Sequence, residues 1–211
     1  MNYTELVAAI QDYTQNEETS FVSNIPNFVG QAEERLNRSI MVPELRKNVS
    51  AATTSGNWYL ARPNDFLSVF SLAVVDSSGD YSFLLDKDVN FIREAYPASS
   101  TSGLPQYYAQ FDGDTPTGAG NFILGPTPNA AYTVELHYYY DPPSIVTTST
   151  SWDGDNAESA LLYGSLIEAY TYMKGEADLI QLYTTRYGEA LGQLTGVQLR
   201  SEKDEYRDGK F

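Results

Sequence analysis

The sequence predicts an α+β protein: a four-helix bundle formed by the N- and C-terminal helices, with an inserted, sandwich-like all-β module. Two observations predict this fold. Amphipathic helical patterns lie at both ends of the chain, and the segment between them breaks into short β-rich runs separated by Gly, Pro, Asn, Asp and Ser. We therefore assign residues 1–45 and 151–195 to the bundle, 46–150 to the β-module and 196–211 to a C-terminal arm.

The clearest helical pattern covers residues 155–194 and predicts two helices that are separated at Gly175. Asp155 and Glu158 stand three residues apart, a spacing that predicts a capping box at the start of the first helix. A helical hairpin cannot bury both of its own apolar faces, so the core needs partners from elsewhere in the chain. These faces comprise Leu161, Leu162, Ser165, Leu166, Ala169, Tyr170 and Met173 in the first helix, and Ala177, Ile180, Tyr183, Tyr187, Ala190, Leu191 and Leu194 in the second.

The N-terminal segment supplies two matching helices. The first is predicted over residues 2–13, because Asn2 and Glu5 fit a capping box. The second is predicted over residues 24–40, with Pro26 in its first turn. Their apolar faces are formed by Leu6, Val7, Ile10 and Tyr13, and by Ile25, Phe28, Val29, Ala32, Leu36 and Ile40.

The middle of the chain reads as strands joined by turns. Candidate strands cover residues 47–53, 58–61, 70–75, 81–85, 106–111, 121–124 and 131–140. The last is the clearest, because bulky residues alternate along it with Thr133, Glu135 and His137. Turn signals between neighbouring strands are predicted at 55–57 and 77–80, a short edge helix at 87–95, and mobile loops at 98–103 and 113–120.

The charge balance limits the classes of partner. The chain has 28 acidic and 13 basic side chains, a formal net charge of −15. Phosphate-based nucleic-acid binding needs clustered Lys and Arg, so it is disfavoured, as is binding to anionic membranes. The sequence has no apolar run of membrane-spanning length and no signal-peptide pattern at its start, and we expect a soluble protein made in a cytoplasm. The absence of cysteine excludes disulfides and thiolate chemistry.

Candidate catalytic and metal-binding patterns are weak. His137 is the only histidine and has no cysteine to share a metal with. The runs Asp153-Gly154-Asp155 and Asp112-Gly113-Asp114 resemble the start of a calcium loop, but neither has Glu at the twelfth position. Gly118-Ala119-Gly120 leads into a strand, unlike a dinucleotide-binding loop. No carboxylate pair is singled out for glycoside hydrolysis. We therefore expect no enzymatic activity, no cofactor and no metal.

Tyrosine is unusually frequent, with 17 copies. Most are expected to pack within strands and helices, and Tyr-rich contact surfaces between chains are the other use. An alternative function follows from the second use: a carbohydrate- or receptor-binding β-module on a helical stalk, with the Tyr-rich strand at 131–140 as its platform. In that case sugars would quench the fluorescence of Trp58 or Trp152.

Four segments of the middle region occur in a characteristic order: Tyr-Leu-Ala-Arg-Pro-Asn-Asp-Phe at 59–66, Gly-Leu-Pro-Gln-Tyr-Tyr at 103–108, Leu-Gly-Pro-Thr-Pro at 124–128 and Tyr-Thr-Val-Glu-Leu-His-Tyr-Tyr-Tyr at 132–140. Together with the flanking helices, this order resembles the head-to-tail adaptor (connector) proteins of short-tailed bacteriophages, the group that includes tail tubular protein A. The resemblance covers nearly the whole chain up to about Leu194.

The resemblance implies a structural virion protein at the head-to-tail interface, assembled in the host cytoplasm. It implies a homo-oligomeric ring, expected to be a dodecamer, that joins the portal protein to the tail nozzle protein and forms part of the channel for DNA ejection. No catalytic residues accompany it. The acidic composition agrees independently, because a channel that DNA traverses without sequence-specific binding should not grip phosphates.

The C-terminal arm, residues 196–211, interrupts the apolar period. It carries four positive and four negative side chains with few apolar ones, and it is not expected to fold alone. It is therefore either a solvated tail or a segment that becomes ordered on a partner. The resemblance implies a terminal extension that reaches the portal. We hypothesise that six residues of the arm bind the portal: Val197, Leu199, Arg200, Tyr206, Arg207 and Phe211.

Overall fold

The structure, a computed structural model, describes residues 1–112 and 120–207, with side chains described as far as Gly196. It is a mixed α+β protein whose chain divides into two compact units. The helical unit comprises Met1–Glu44 and the chain from Pro142 onward, and the β unit comprises Leu45–Asp141.

The elements are as follows in chain order. The helices are α1 (Tyr3–Thr14), α2 (Thr19–Val22), α3 (Ile25–Ser39), α4 (Val89–Ala95), α5 (Ile145–Thr148), α6 (Trp152–Asn156), α7 (Glu158–Tyr172) and α8 (Ala177–Arg207). The strands are β1 (Arg46–Ala52), β2 (Tyr59–Ala61), β3 (Phe66–Val75), β4 (Tyr81–Phe83), β5 (Leu85–Asp86), β6 (Ser102–Gly103), β7 (Tyr107–Gln110), β8 (Asn121–Gly125), β9 (Thr127–Pro128) and β10 (Thr133–Tyr140).

The N-terminal helices begin where the sequence predicts. The side chain of Asn2 accepts a hydrogen bond of 3.0 Å from the backbone N–H of Glu5, and the Glu5 carboxylate accepts one of 2.8 Å from the backbone N–H of Asn2. This is the predicted capping box, and it satisfies two amides that α1 would otherwise leave free. Pro26 occupies the first turn of α3, also as predicted.

The predicted capping box at Asp155 and Glu158 is wrong. Asp155 lies inside the short helix α6, whose N-terminus is capped by Ser151, and α7 begins at Glu158 without a side-chain cap. Gly154 allows α6 to pack closely against Met1 and Ile145. A Cβ atom at this position would overlap the carbonyl oxygen of Met1 and the side chain of Ile145, so α6 can pack closely there only with glycine.

Helix α7 is the central helix of the helical unit and packs against α1, α3 and α8. Gly164 permits a close crossing, because a Cβ atom there would lie 3.1 Å from the Cβ of Ala32 and 3.3 Å from the ring of Tyr187. One core joins both ends of the chain. Its buried side chains are Leu6, Ile10, Phe21, Ile25, Phe28, Val29, Ala32, Ile145, Leu161, Leu166, Ala169 and Tyr183.

The β unit contains two four-stranded sheets and a small third one. The first sheet has the order β1-β10-β3-β4 and is antiparallel throughout. The second has the order β2-β8-β7-β5, in which β5 runs parallel to β7. Strands β6 and β9 form a short parallel pair.

The two larger sheets share one hydrophobic core. Leu72, Val74, Val134 and Leu136 of the first sheet are buried with Leu60, Tyr108, Phe122 and Leu124 of the second. Beside the second sheet, Ile92 of α4 packs on Ala109 and Ile123 in a smaller cluster. The period-two alternation of β10 is therefore a true indicator of which residues face the core.

Several connections differ from the sequence prediction. The turn at 55–57 leads from β1 to β2, which belong to different sheets, so it does not join neighbouring strands. The turn at 77–80 does join a pair, β3 and β4, and Gly79 adopts a φ of 90° in it. The predicted strand at 81–85 is divided into β4 and β5, because the chain changes sheets at Leu84. The predicted loop at 98–103 ends in β6, whereas residues 113–119 lie outside the described part of the chain.

Helix α8 does not end near Leu194, as the apolar period predicts, but continues to Arg207. Its packed face includes Tyr183, Tyr187 and Ala190 of the predicted stripe. None of the helices in the described ranges is long and apolar enough to cross a membrane.

Candidate interaction surfaces

All the cationic side chains of the β unit lie over aromatic rings. Residues 45–141 contain five Lys and Arg. The guanidinium carbon of Arg46 is 4.0 Å from the centre of the Phe70 ring, and that of Arg93 is 4.1 Å from Trp58. The remaining pairs are Lys47 over Tyr140, Arg62 over Phe66 and Lys87 over Phe91. These rings hold the positive charges along the protein surface, where each contact contributes about 0.5–1 kcal/mol. Each of the five cations of this unit thus has an aromatic partner within the unit.

An apolar stripe lies on the segment that crosses from one sheet to the other. Tyr81, Phe83 and Leu85 are 54%, 67% and 60% exposed. The rings of Tyr81 and Phe83 stack with centroids 6.4 Å apart, and the Tyr81 hydroxyl donates a 3.0 Å hydrogen bond to Glu135. The stripe combines exposed aromatic rings with an edge strand, two features typical of protein contact surfaces.

The Tyr-rich strand β10 does not present an open platform. Tyr138 and Tyr139 are 4% and 8% exposed. The Tyr138 hydroxyl donates to Asp65 over 2.8 Å, and the Tyr139 hydroxyl accepts from Arg46 Nε over 3.0 Å. These two tyrosines therefore serve the packing of the β unit, which was the simpler of the two uses predicted for tyrosine.

Asp65 stands directly before β3 and forms hydrogen bonds with side chains of β1 and β10. Its carboxylate accepts hydrogen bonds from Lys47 Nζ at 2.6 Å and from the Tyr138 hydroxyl. Burial alone would raise the pKa of Asp65, but the two hydrogen bonds and the positive charge of Lys47 outweigh it, and the pKa lies below its usual value. Burial and the Asp65 carboxylate raise the pKa of Tyr138 to about 12.

The candidate metal ligands predicted from the sequence do not come together in the described residues. His137 is half-buried on β10, between Asn48 and Ser71 of the adjacent strands. The Asp112 carboxylate accepts hydrogen bonds from the backbone and side-chain amides of Asn121 at the start of β8, and Asp114 lies outside the described residues. Asp153 is buried in α6. Across the described ranges, no group of three or more His, Cys, Asp or Glu side chains could hold a metal ion.

A buried acid in α3, Glu33, was missed at the sequence level. It is 5% exposed, and its carboxylate accepts hydrogen bonds from Ser144 and from the backbone of Ile145. The helical period of α3 nevertheless predicts that Glu33 is buried. Glu33 stands four residues after Val29 and three before Leu36, so it falls on the buried face of the helix.

The residues of the portal-binding hypothesis lie at the end of α8 or beyond it. The backbone of residues 197–207 continues the helix, but the side chains of Val197, Leu199, Arg200, Tyr206 and Arg207 are outside the described part of the structure. Phe211 lies outside the described residues altogether. The structure thus places five of these positions on one helix and leaves their contacts open.

A comparison with protein-family models gives a match over residues 1–209, to the family described as SU10 adaptor protein. The chain belongs to this family. A search of curated proteins finds no match. As an SU10 adaptor protein, the chain is a structural bacteriophage protein, a virion component that interacts with other virion proteins, and it is not expected to be an enzyme. The closer likeness to tail tubular protein A stays an expectation.

The match of the SU10 adaptor protein extends beyond the resemblance seen in the sequence. That resemblance ended at about Leu194, whereas the family match includes residues 195–209. The end of α8 therefore belongs to the family pattern. The segment at 59–66, which carried part of the resemblance, contains β2 and the first residue of β3, and Asp65 in it forms the bonds to Lys47 and Tyr138.

Proposed function

We propose that this SU10 adaptor protein is a head-to-tail adaptor whose copies form a ring between the portal protein and the tail nozzle protein. The family match over residues 1–209 carries the proposal. The ring forms part of the DNA channel at the head-to-tail interface of a short-tailed phage, and it is assembled in the host cytoplasm.

The electrostatics of the chain support a channel role. DNA must slide past such a ring during ejection, and each phosphate held by Lys or Arg would slow that movement. The net charge of −15 repels phosphates over the whole chain, and the cations of the β unit are held over aromatic rings. Contact with DNA is accordingly weak and independent of sequence.

The proposed architecture is a four-helix bundle, residues 1–45 and 151–195, with the β-module 46–150 inserted. The core that joins α1, α3, α7 and α8 supports it. In the ring, expected to be a dodecamer, the bundles pack side by side and the β-modules meet a neighbour or the tail. The free protein is monomeric, because a modest polar interface forms only when a template raises the local concentration of neighbours. The portal is that template.

The C-terminal segment 196–211 is proposed as the attachment to the portal. Val197, Leu199, Arg200, Tyr206, Arg207 and Phe211 are its candidate contacts. The continuation of α8 to Arg207 supports an attachment in which a helix, rather than a strand, is added to the portal. The alternating charges would set its register and its two aromatic residues would anchor it.

A bridging assay tests the proposed function. Immobilised portal is incubated with tail nozzle protein in the presence and absence of the adaptor. We expect the nozzle protein to be retained only when the adaptor is added first. Retention of the nozzle protein without the adaptor, or no retention with it, would contradict the proposal. Addition of oligosaccharides with Trp58 fluorescence as the readout tests the alternative, since a carbohydrate-binding module would show quenching and an adaptor would not.

A further inference from the structure

We infer that the edge strand β4 of one copy pairs with the edge strand β1 of the next copy, so that the first sheets of neighbouring subunits become one continuous antiparallel sheet. The inference rests on the proposed ring and identifies the surface through which its subunits join. It concerns the β unit alone.

Two edges of the first sheet are available. In the described part of the chain, β1 pairs only with β10, and β4 pairs only with β3. Residues 47–52 of β1 are all exposed. Edge strands carry unpaired N–H and C=O groups and are ready to pair with another chain, unless Pro or outward-pointing Lys blocks them. Neither strand contains Pro, and the Lys47 ammonium is tied to Asp65 at 2.6 Å within its own unit.

The strand directions favour head-to-tail pairing. Each strand of the four-stranded sheet is antiparallel to its neighbour, so β1 and β4 run in opposite directions. A second copy in the same orientation therefore places its β1 antiparallel to β4 of the first copy, and the alternation continues across the boundary. Such a contact joins two different surfaces of the same chain. It produces a closed ring when the rotation that relates neighbouring copies returns to the first copy after one full turn. Pairing of β1 with β1 would instead need a two-fold axis and would stop at a dimer.

The side chains on the two edges are complementary in size. The sheet register places Phe83 level with Ser50, through Ala73 and Glu135. It likewise places Tyr81 level with Ala52. When copies join in this register, Phe83 stands opposite Ser50 and Tyr81 opposite Ala52 of the next copy, and these small side chains do not collide with the two rings. The Tyr81 ring itself leans toward Glu135 of its own sheet.

The charges disfavour the competing pairing of two β4 edges. Residues 76–88, which contain β4 and its flanks, carry four Asp and one Lys, a net charge of −3. Two such segments would repel each other. Strand β1 has Arg46 and Lys47 and no acidic residue, so it is the free edge of this sheet that the β4 segment does not repel.

Cysteine cross-linking tests the pairing, because the native chain has no cysteine. Ala51 and Ser82 are level in the sheet and lie on the same face. The full-length double variant Ala51→Cys/Ser82→Cys, bound to its portal and treated with oxidised glutathione, is expected to give a ladder of covalent multimers. Each single variant is expected to remain uncross-linked. A second double variant, Val49→Cys/Ser82→Cys, is expected to cross-link instead if the two strands pair in a register that is shifted by two residues.

A second variant reports on the same edge without a cross-link. Phe83→Lys places a charge on the exposed stripe and is expected to reduce ring formation on the portal at least tenfold, with an unchanged monomer fold by circular dichroism. Leu67→Lys, an exposed leucine of β3, is the matched control and should assemble normally.

The outcomes separate the inference from the proposed function. Rings on the portal in electron micrographs, without cross-links in either double variant and with normal assembly of Phe83→Lys, would overturn the sheet pairing and leave the adaptor role intact. Covalent dimers from a single-cysteine variant would show two-fold pairing and would also overturn it. An absence of rings in the wild type would refute the adaptor role itself.

Discussion

The carboxylate of Glu33 accepts a hydrogen bond of 2.6 Å from the hydroxyl of Ser144. Its second oxygen accepts one of 2.7 Å from the backbone N–H of Ile145. Ser144 is the N-cap of α5, the first helix after the chain returns from the β unit. The buried acid therefore ties α3 of the N-terminal segment to the beginning of the C-terminal one, and it does so within the helical unit.

Replacement of this acid should destabilise the helical unit. Glu33→Gln leaves one of the two donors facing an amide N–H₂ group, and we expect a loss of about 1–3 kcal/mol in the free energy of unfolding. Urea denaturation followed by circular dichroism measures it. The neighbouring change Glu34→Gln is the control, because that side chain is 58% exposed and pairs with Arg38 at the surface, an interaction worth less than about 1 kcal/mol. Equal effects of the two changes would contradict the assigned role of Glu33.

The two ends of the chain should unfold as one cooperative unit. Leu166 is fully buried in the shared core, and Leu166→Asp places an unpaired charge there at a cost of several kcal/mol. We expect the amides of α1 and α3 to lose protection in hydrogen exchange, although neither helix carries the substitution. Leu182→Asp, at a position of α8 that is 46% exposed, should leave them protected. Persistent protection of α1 and α3 in Leu166→Asp would show that the ends fold independently.

The features that the sequence predicted correctly depend on residues close together in the chain. The capping box of Asn2 and Glu5 needs a spacing of three, and the residues of β10 that face the core, Val134, Leu136 and Tyr138, follow from simple alternation. The α+β class follows from the same local patterns.

The features that were missed depend on distant partners or on a weaker signal. Strand β1 pairs with β10 across most of the β unit, and Glu33 meets Ser144, 111 residues away. Periodicity contains no information on either partner. The end of α8 was placed too early because the apolar stripe was the criterion. Arg, Glu and Lys favour a helix by their intrinsic propensity, so a helix can continue after its apolar face has ended.

The stability of the β unit should depend on pH through Asp65. Because the pKa of Asp65 is lowered in the folded state, its contribution is present above the unfolded-state value of about 3.9 and is lost as the pH falls through the folded-state pKa. Asp65→Asn should therefore be less stable than the wild type at neutral pH, by at most about 1 kcal/mol for this partly exposed carboxylate. The difference should shrink below about pH 4.

The hydrogen bond between Tyr138 and Asp65 should also stop stabilising the β unit at high pH. The pKa of Tyr138 is raised to about 12, above the unfolded value of about 10, so its contribution is present below pH 10 and is lost as the pH rises toward 12. Thermal denaturation across both ranges measures these effects. Asp80→Asn, in the β3–β4 turn, is the control. A constant difference between wild type and Asp65→Asn at all acidic pH values would refute the assignment.

Truncation after Thr195 should separate folding from attachment. The cores of both units lie before this position, so the truncated protein is expected to keep its circular dichroism spectrum and unfolding midpoint. We expect it to lose binding to immobilised portal, because it lacks the proposed attachment segment 196–211. Unchanged attachment would exclude this segment as the tether.

Negative-stain imaging of the purified protein with and without its cognate portal tests the adaptor ring most directly. We predict monomers in the absence of the portal and, in its presence, a single complete ring of fixed stoichiometry stacked on each portal. A random distribution of bound copies, or no ring on the portal, would contradict the adaptor function.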